Sequence, residues 1–326
     1  MATETPPTRS STPSPAANVA AGAAARELAD GAAARVDGHL DGASHAIAQV
    51  RVPTRSWRGE LRAIRVVWRR ELIRFSRDRL RIVTSLVQPF LFLFVLGTGL
   101  SSFVSAGTHG LDFKTFIYPG VLCMAVMFTA MFSAASIVWD REFGFLREMM
   151  VAPVRRSSIV LGKCFGGATV AAFQGVIVIA IAGLVEVPYE LDLILEIFAL
   201  QLLLAFAITA FGMMAAARIT QMQSFMALMQ MAVMPMFFIS GAMFSVANLP
   251  PWLAILNRLD PLTYAVDPMR RAIFAHIDIP QATRNALDSG VTWWGWRVPT
   301  LLEAAVVAGL GLVMLAIAIA EFSRVE

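Results

Sequence analysis

The sequence predicts an all-α, polytopic membrane protein with six transmembrane helices, an N-terminal amphipathic helix and re-entrant helices between spans 5 and 6. Three observations carry that prediction. The 326 residues are 57% hydrophobic and 15% charged, against about 25% charge in a soluble domain. The apolar residues gather into six runs, roughly 83–104, 116–139, 158–185, 193–217, 222–244 and 298–320, each long enough to cross a bilayer as a helix. Lys and Arg are shared very unequally among the links between those runs.

Residues 1–52 are rich in Ala, Pro, Ser, Thr, Gly and Asp and hold no signal-like apolar run; a disordered cytoplasmic tail is expected. Over 53–81 the character changes. Leu61, Ile64, Trp68, Leu72 and Phe75 recur at spacings of three and four, which is one helical face. Eleven Arg lie between Arg51 and Arg81 against three acids. With Trp57, Arg65, Trp68 and Arg69 as contacts, this reads as an amphipathic helix in the headgroup layer. It runs straight into a span, which disfavours nucleic acid as its partner.

If the N-terminus is cytoplasmic, the inner segments carry eighteen Lys and Arg. The link between spans 1 and 2 carries Lys114 alone, and that between spans 3 and 4 carries none. The positive-inside rule then places both termini in the cytoplasm. In the outer segment, about 246–297, Trp252, Ile255, Leu256 and Leu259 form one apolar face, and Val266, Met269, Ile273 and Phe274 a second. Helices dipping into the outer leaflet satisfy the backbone at that depth. Trp293, Trp294 and Trp296 stand ahead of span 6, where an aromatic belt belongs.

The chain has no G-x-x-x-x-G-K-[ST] loop, no H-E-x-x-H and no G-x-S-x-G, so no catalytic residues, no metal site and no cofactor of its own are expected. His39, His45, His109 and His276 are scattered, and Cys123 and Cys164 read as apolar packing residues. Gly166-Gly167 reads as a close helix crossing. Glu303 is expected to be interfacial, at headgroup depth, or paired with Arg297. Methionines form two helical stripes, Met124, Met127 and Met131 in span 2, and Met222, Met226, Met229 and Met236 in span 5, the last beside Phe237. Such stripes serve either as core or as a pliable apolar cavity.

Between spans 2 and 3 lies a short charged segment, about 140–156, with Glu142, Gly144, Arg147, Glu148, Arg155 and Arg156. Its Leu146 to Glu148, with Ala152-Pro153-Val154-Arg155-Arg156 and Leu161-Gly162-Lys163, resembles the permease of type-2 ATP-binding-cassette exporters, the branch that includes daunorubicin-resistance permeases. Ser240-Gly241, Leu249-Pro250-Pro251-Trp252-Leu253 and Pro261-Leu262-Thr263-Tyr264-Ala265-Val266-Asp267 resemble it further on. The resemblance covers about 57–322 and departs from the family's usual pattern at Asp260 and at Phe145.

It implies a dimer of identical or homologous permeases in a bacterial cytoplasmic membrane, docked on two separate ATPase subunits that hold ATP and Mg. It makes 53–81 a connecting helix and 140–156 a coupling helix, with Glu142, Gly144, Leu146, Arg147, Glu148, Pro153, Arg155 and Arg156 as the coupling residues. It makes Met124, Met127, Met131, Met226, Met229, Met236 and Phe237 the lining of a cavity for an amphipathic drug-like, polyketide or lipid substrate. A polysaccharide or teichoic-acid exporter is the alternative within the family. A membrane-embedded enzyme or an adaptor is the alternative outside it.

Overall fold

Asp78 decides where the amphipathic helix stops and the first span begins. The helix α1 (Trp57–Arg77) is capped at its start by the Ser56 hydroxyl, which accepts from Gly59 N–H, and ends at Asp78. The Asp78 carboxylate in turn caps α2 (Arg79–Phe90) by accepting from Arg81 N–H. Pro89 deprives α2 of a donor. The next residues, Leu91–Leu96, are wound as a π-helix before α3 (Gly97–Val104) restores the α-helical pattern.

The computed structural model describes residues 26–28, 30–31, 56–104, 112–145, 154–244, 246, 249–277, 279, 290–293 and 295–324. Among them, six helices are long and apolar enough to cross a membrane: Arg79–Ser101, Phe113–Glu142, Arg156–Ile179, Leu191–Arg218, Met222–Ile239 and Thr300–Arg324. The all-α, six-span reading therefore holds. The expected tail lies almost wholly outside the described residues. The last five spans are α4 (Phe113–Glu142), α5 (Arg156–Ile179), α6 (Leu191–Arg218), α7 (Met222–Ile239) and α10 (Thr300–Arg324). Between α7 and α10 stand α8 (Pro251–Leu259), α9 (Thr263–His276) and a small antiparallel hairpin of β1 (Thr292–Trp293) and β2 (Trp296–Arg297).

Span 2 is the hub. In its apolar window 89% of residues are buried, against 17% in span 1 and 22% in span 5, so α4 is the core helix and spans 1 and 5 form the rim. Two spans are shorter than their apolar runs. Span 3 ends at Ile179 because Ala180–Val187 folds into a turn, with a 3-10 helix over Ala182–Val185 and Glu186 left-handed. Ala182, Val185 and Val187 are buried in that turn, so their hydropathy reports packing rather than a helix. Span 5 ends at Ile239. There the Ser240 hydroxyl donates to Phe237 O and accepts from Ala242 N–H, while the Arg270 guanidinium donates to Gly241 O, Ala242 O and Phe244 O.

One face of the amphipathic helix packs on span 3. Its stripe lies along α5, where Gly162 and Gly166 admit it. A Cβ on Gly162 would stand 2.9 Å from Ile64 O, and one on Gly166 2.8 Å from Glu71 Cβ. Trp68 donates its indole N–H to Thr169 Oγ1 at 3.1 Å. Trp57, Arg65 and Arg69 are exposed, and Trp68 is half-buried against span 3.

Candidate functional site

The two ends of the link between spans 2 and 3 are tied to other helices. Leu146, Arg147, Glu148 and Pro153 lie outside the described residues. Span 2 unwinds through Gly144, whose φ of +82° suits glycine. Just before it, the Arg141 guanidinium donates to Ala216 O, Ala217 O and Ile219 O at 2.9, 3.3 and 2.9 Å, closing the end of span 4. The Glu142 carboxylate accepts from Met222 N–H at 3.1 Å and so caps span 5. At the far end Glu60 of α1 accepts from Arg155 N–H at 3.2 Å and from the Ser158 hydroxyl at 2.6 Å. Arg156 donates to Phe322 O at the end of span 6.

Glu142 and Arg156 are thus both engaged within the chain, Glu142 while remaining exposed. Each sits where a helix end leaves backbone groups unpaired, and a charged side chain within reach satisfies them. Arg155, with 62% of its side chain exposed, is paired with Glu60 at 3.9 Å and still presents a face outward.

One turn deeper lies a knot of charge that periodicity does not reveal. The Lys163 ammonium is fully buried and donates to Glu71 Oε1 at 3.0 Å, Asp140 Oδ2 at 2.6 Å and Ser136 Oγ at 3.1 Å. Its three donors meet three acceptors. Asp140 also takes Arg70 at 2.8 Å and Arg74 at 3.6 Å. The cluster joins α1, span 2 and span 3 at the point where the last two leave the link. The available signal was that Asp140 and Lys163 fall inside helices rather than in the loop between them, and a charge at such depth is kept only when paired.

The methionine stripes are buried in part. Met124, Met127, Met131, Met229 and Phe237 are at most 2% exposed; they fill the space between spans instead of lining an opening. Met226 and Met236 are half-buried, and Met236 borders a small apolar pocket of ≈ 190 Å³ between spans 4, 5 and 6. A larger cleft of ≈ 640 Å³ lies elsewhere, between the end of α1, the start of span 1 and the flank of span 2, with Met222 at its rim. The open face of span 2 there carries Phe128, Thr129, Phe132, Ser136 and Trp139, offset from the methionines by about a quarter turn.

At the opposite end of the bundle the outer segment is locked by buried polar groups. Arg271 donates to both Asp267 and Glu303, and to Val298 O at 3.2 Å. Glu303 is fully buried and paired with Arg271. Asn257 donates to Ile239 O at 2.7 Å and to Thr263 Oγ1 at 3.1 Å. Asp260 accepts from Leu262 N–H at 3.1 Å, and burial pushes its pKa up to about 7. The apolar face of α9 is buried as expected, while Trp252, Ile255, Leu256 and Leu259 of α8 remain exposed.

His276 is not isolated either. Its Nδ1–H donates to Ala272 O at 2.8 Å, which leaves Nε2 facing Asp192 at 3.2 Å and Glu190 at 3.7 Å. The Ala272 carbonyl first, then the two carboxylates, hold its pKa above the ordinary value. The three ligand atoms lie within 4.8 Å of one another, the one such grouping among the described residues. Sequence spacing could not find it, since His276 is 84 residues from Asp192.

Residues 62–274 match the family described as ABC-2 type transporter. The chain is 29% identical over 211 residues to a transport permease, ycf38, of Cyanophora paradoxa, covering 63% of this chain and 72% of that one. It is 25% identical over 223 residues to the inner membrane transport permease YadH of Escherichia coli K12, covering 68% and 86%. Against nodulation protein J of Rhizobium leguminosarum bv. trifolii it is 28% identical over 221 residues, covering 66% and 83%.

Proposed function

The chain belongs to the ABC-2 type transporter family, and from that premise we propose that it is the membrane permease subunit of an ATP-driven exporter. As a multi-pass permease of this class it works with ATP-binding-cassette ATPase partners, which supply the hydrolysis. The finer reading is that two permeases and two ATPase subunits form the working unit in a bacterial cytoplasmic membrane, with both termini inside. The cargo is an amphipathic drug-like, polyketide or lipid molecule.

The observation that carries this reading is the knot of Lys163, Asp140 and Glu71. A push on the link between spans 2 and 3 has to reach the spans without being absorbed by side-chain play. A buried, fully paired cluster that spans both helix ends and α1 makes that corner stiff. Arg141 and Glu142 extend the stiff corner to spans 4 and 5. Segment 140–156 is accordingly the coupling segment, with Gly144, Leu146, Arg147, Glu148, Pro153 and Arg155 as the part offered to the ATPase. Glu142 and Arg156 act behind it as internal ties. Cargo enters at the cleft beside span 1, in place of the methionine-lined cavity.

The test is transport by the reconstituted complex. Glu148→Arg and Arg155→Glu should each abolish ATP-driven export while the protein still inserts and purifies with its partners' stoichiometry unchanged. Undiminished export by both variants would sink the coupling assignment.

A further inference from the structure

The cleft beside span 1 has walls of two kinds. Leu80, Pro89, Phe128, Phe132 and Trp139 make it apolar, and Arg74, Asp78 and Arg81 charge one end of it. Two polar atoms on its lining residues are buried with no protein partner, Nη2 of Arg81 and Oγ1 of Thr129. Buried polar groups are almost always satisfied, and a guanidinium is costlier to leave unpaired than a neutral donor. No carboxylate hydrogen-bonds Nη2 of Arg81, although Asp78 and Glu71 stand close enough to act on its charge. Asp78 accepts from the Arg81 backbone N–H at 3.0 Å, and Asp140 is taken up by Lys163, Arg70 and Arg74. The Arg81 guanidinium stands 6.0 Å from the centre of the Phe132 ring, so the cation and the aromatic wall are adjacent.

We propose that this cleft selects anionic amphiphiles: a phosphate, sulfate or carboxylate headgroup on the Arg81 guanidinium, and an apolar tail along Phe128 and Phe132. The Thr129 hydroxyl supplies a second polar contact in the same cleft. This inference rests on the permease reading and names the chemical class of its cargo. An anion supplies the acceptor the guanidinium lacks, and a charge-assisted pair is the stronger kind of hydrogen bond. A cationic amphiphile would meet two arginines against one aspartate. A small free anion would leave the aromatic wall uncovered.

The experiment measures equilibrium binding of labelled dodecyl phosphate to the full-length protein in phosphatidylcholine nanodiscs, with binding to empty nanodiscs subtracted. Dodecyl phosphate should bind saturably. Equal concentrations of dodecyltrimethylammonium, dodecanol or inorganic phosphate should not displace it. Arg81→Gln should weaken binding at least tenfold, Arg81→Lys should restore part of it, and Phe132→Ala should weaken it severalfold, with all variants eluting as the wild type does. Equal binding of the cationic or neutral amphiphile, or an unchanged affinity in Arg81→Gln, would overturn charge selection. Displacement by inorganic phosphate would make it a free-anion site, and loss of binding in phosphatidylglycerol nanodiscs a bilayer-lipid site; either overturns the cargo assignment. The Glu148→Arg export test does not touch Arg81, so the permease reading stands or falls separately.

Discussion

Lys163 is the residue on which most depends. With its ammonium removed, Asp140 keeps two arginines but Glu71 loses its ion-pair partner in a buried setting. Breaking a buried pair from one side costs about 3–5 kcal/mol. Lys163→Met is therefore expected to lower the midpoint of thermal unfolding markedly, whereas Arg65→Gln, on an exposed side chain, should leave it unchanged. Differential scanning fluorimetry in detergent measures both; equal midpoints for Lys163→Met and wild type would remove the knot from the account. Asp260 makes a second prediction at this scale. Its pKa is raised from 3.8 to about 7, so between those values the folded chain keeps a proton that the unfolded chain releases. Stability from this group falls as pH rises through that window. Asp260→Asn should flatten the pH dependence between 4 and 7 and raise stability at pH 8. These two roles differ in how visible they are in sequence. Asp260 stands in a recognisable turn before Pro261, while Lys163 looks like any charge flanking a span.

Among the elements, α1 and α9 each have a docking contact that can be tested singly. The α1 contact is steric. Gly162→Val would drive a side chain against Ile64 O and Val67, so α1 should lift from span 3. Cysteine crosslinking between residues 68 and 169 should then fall while span insertion persists; undiminished crosslinking would contradict the packing. The α9 contact is electrostatic. The pKa of His276 is raised, so its pairing with Asp192 and Glu190 is fully present below about pH 6.5 and is lost as pH rises through the folded value. Spin labels placed on the ends of α6 and α9 should separate on going from pH 5.5 to 8.5, and His276→Gln should show the alkaline spacing at both pH values. The helical period made α1 and α9 legible beforehand. The surface each stripe would cover was not, because period 3.6 names a face and not its neighbour.

Over the whole molecule, the rim helices carry the exposed apolar surface, with spans 1 and 5 the least buried, and the hub carries the packing. A second permease and lipid are the proposed cover for that rim. Deleting residues 1–52 should leave export intact, since the family match begins only at residue 62; loss of export with normal membrane levels would favour an adaptor role for the tail.

What the sequence determined by itself was the number and rough extent of the spans, the basic end, the charged link and the kinship those motifs imply. All of these are written in local hydropathy, charge and short motifs, which need no partner to be read. The tertiary structure alone decided that Met124, Met127, Met131 and Met229 are buried, that Glu142 caps span 5, that Glu303 pairs with Arg271, and that Lys163 binds three helices together. Each of those depends on which residue, tens of positions away, arrives within about 3 Å. Such contacts are set by how helices cross, and no window along the chain contains them.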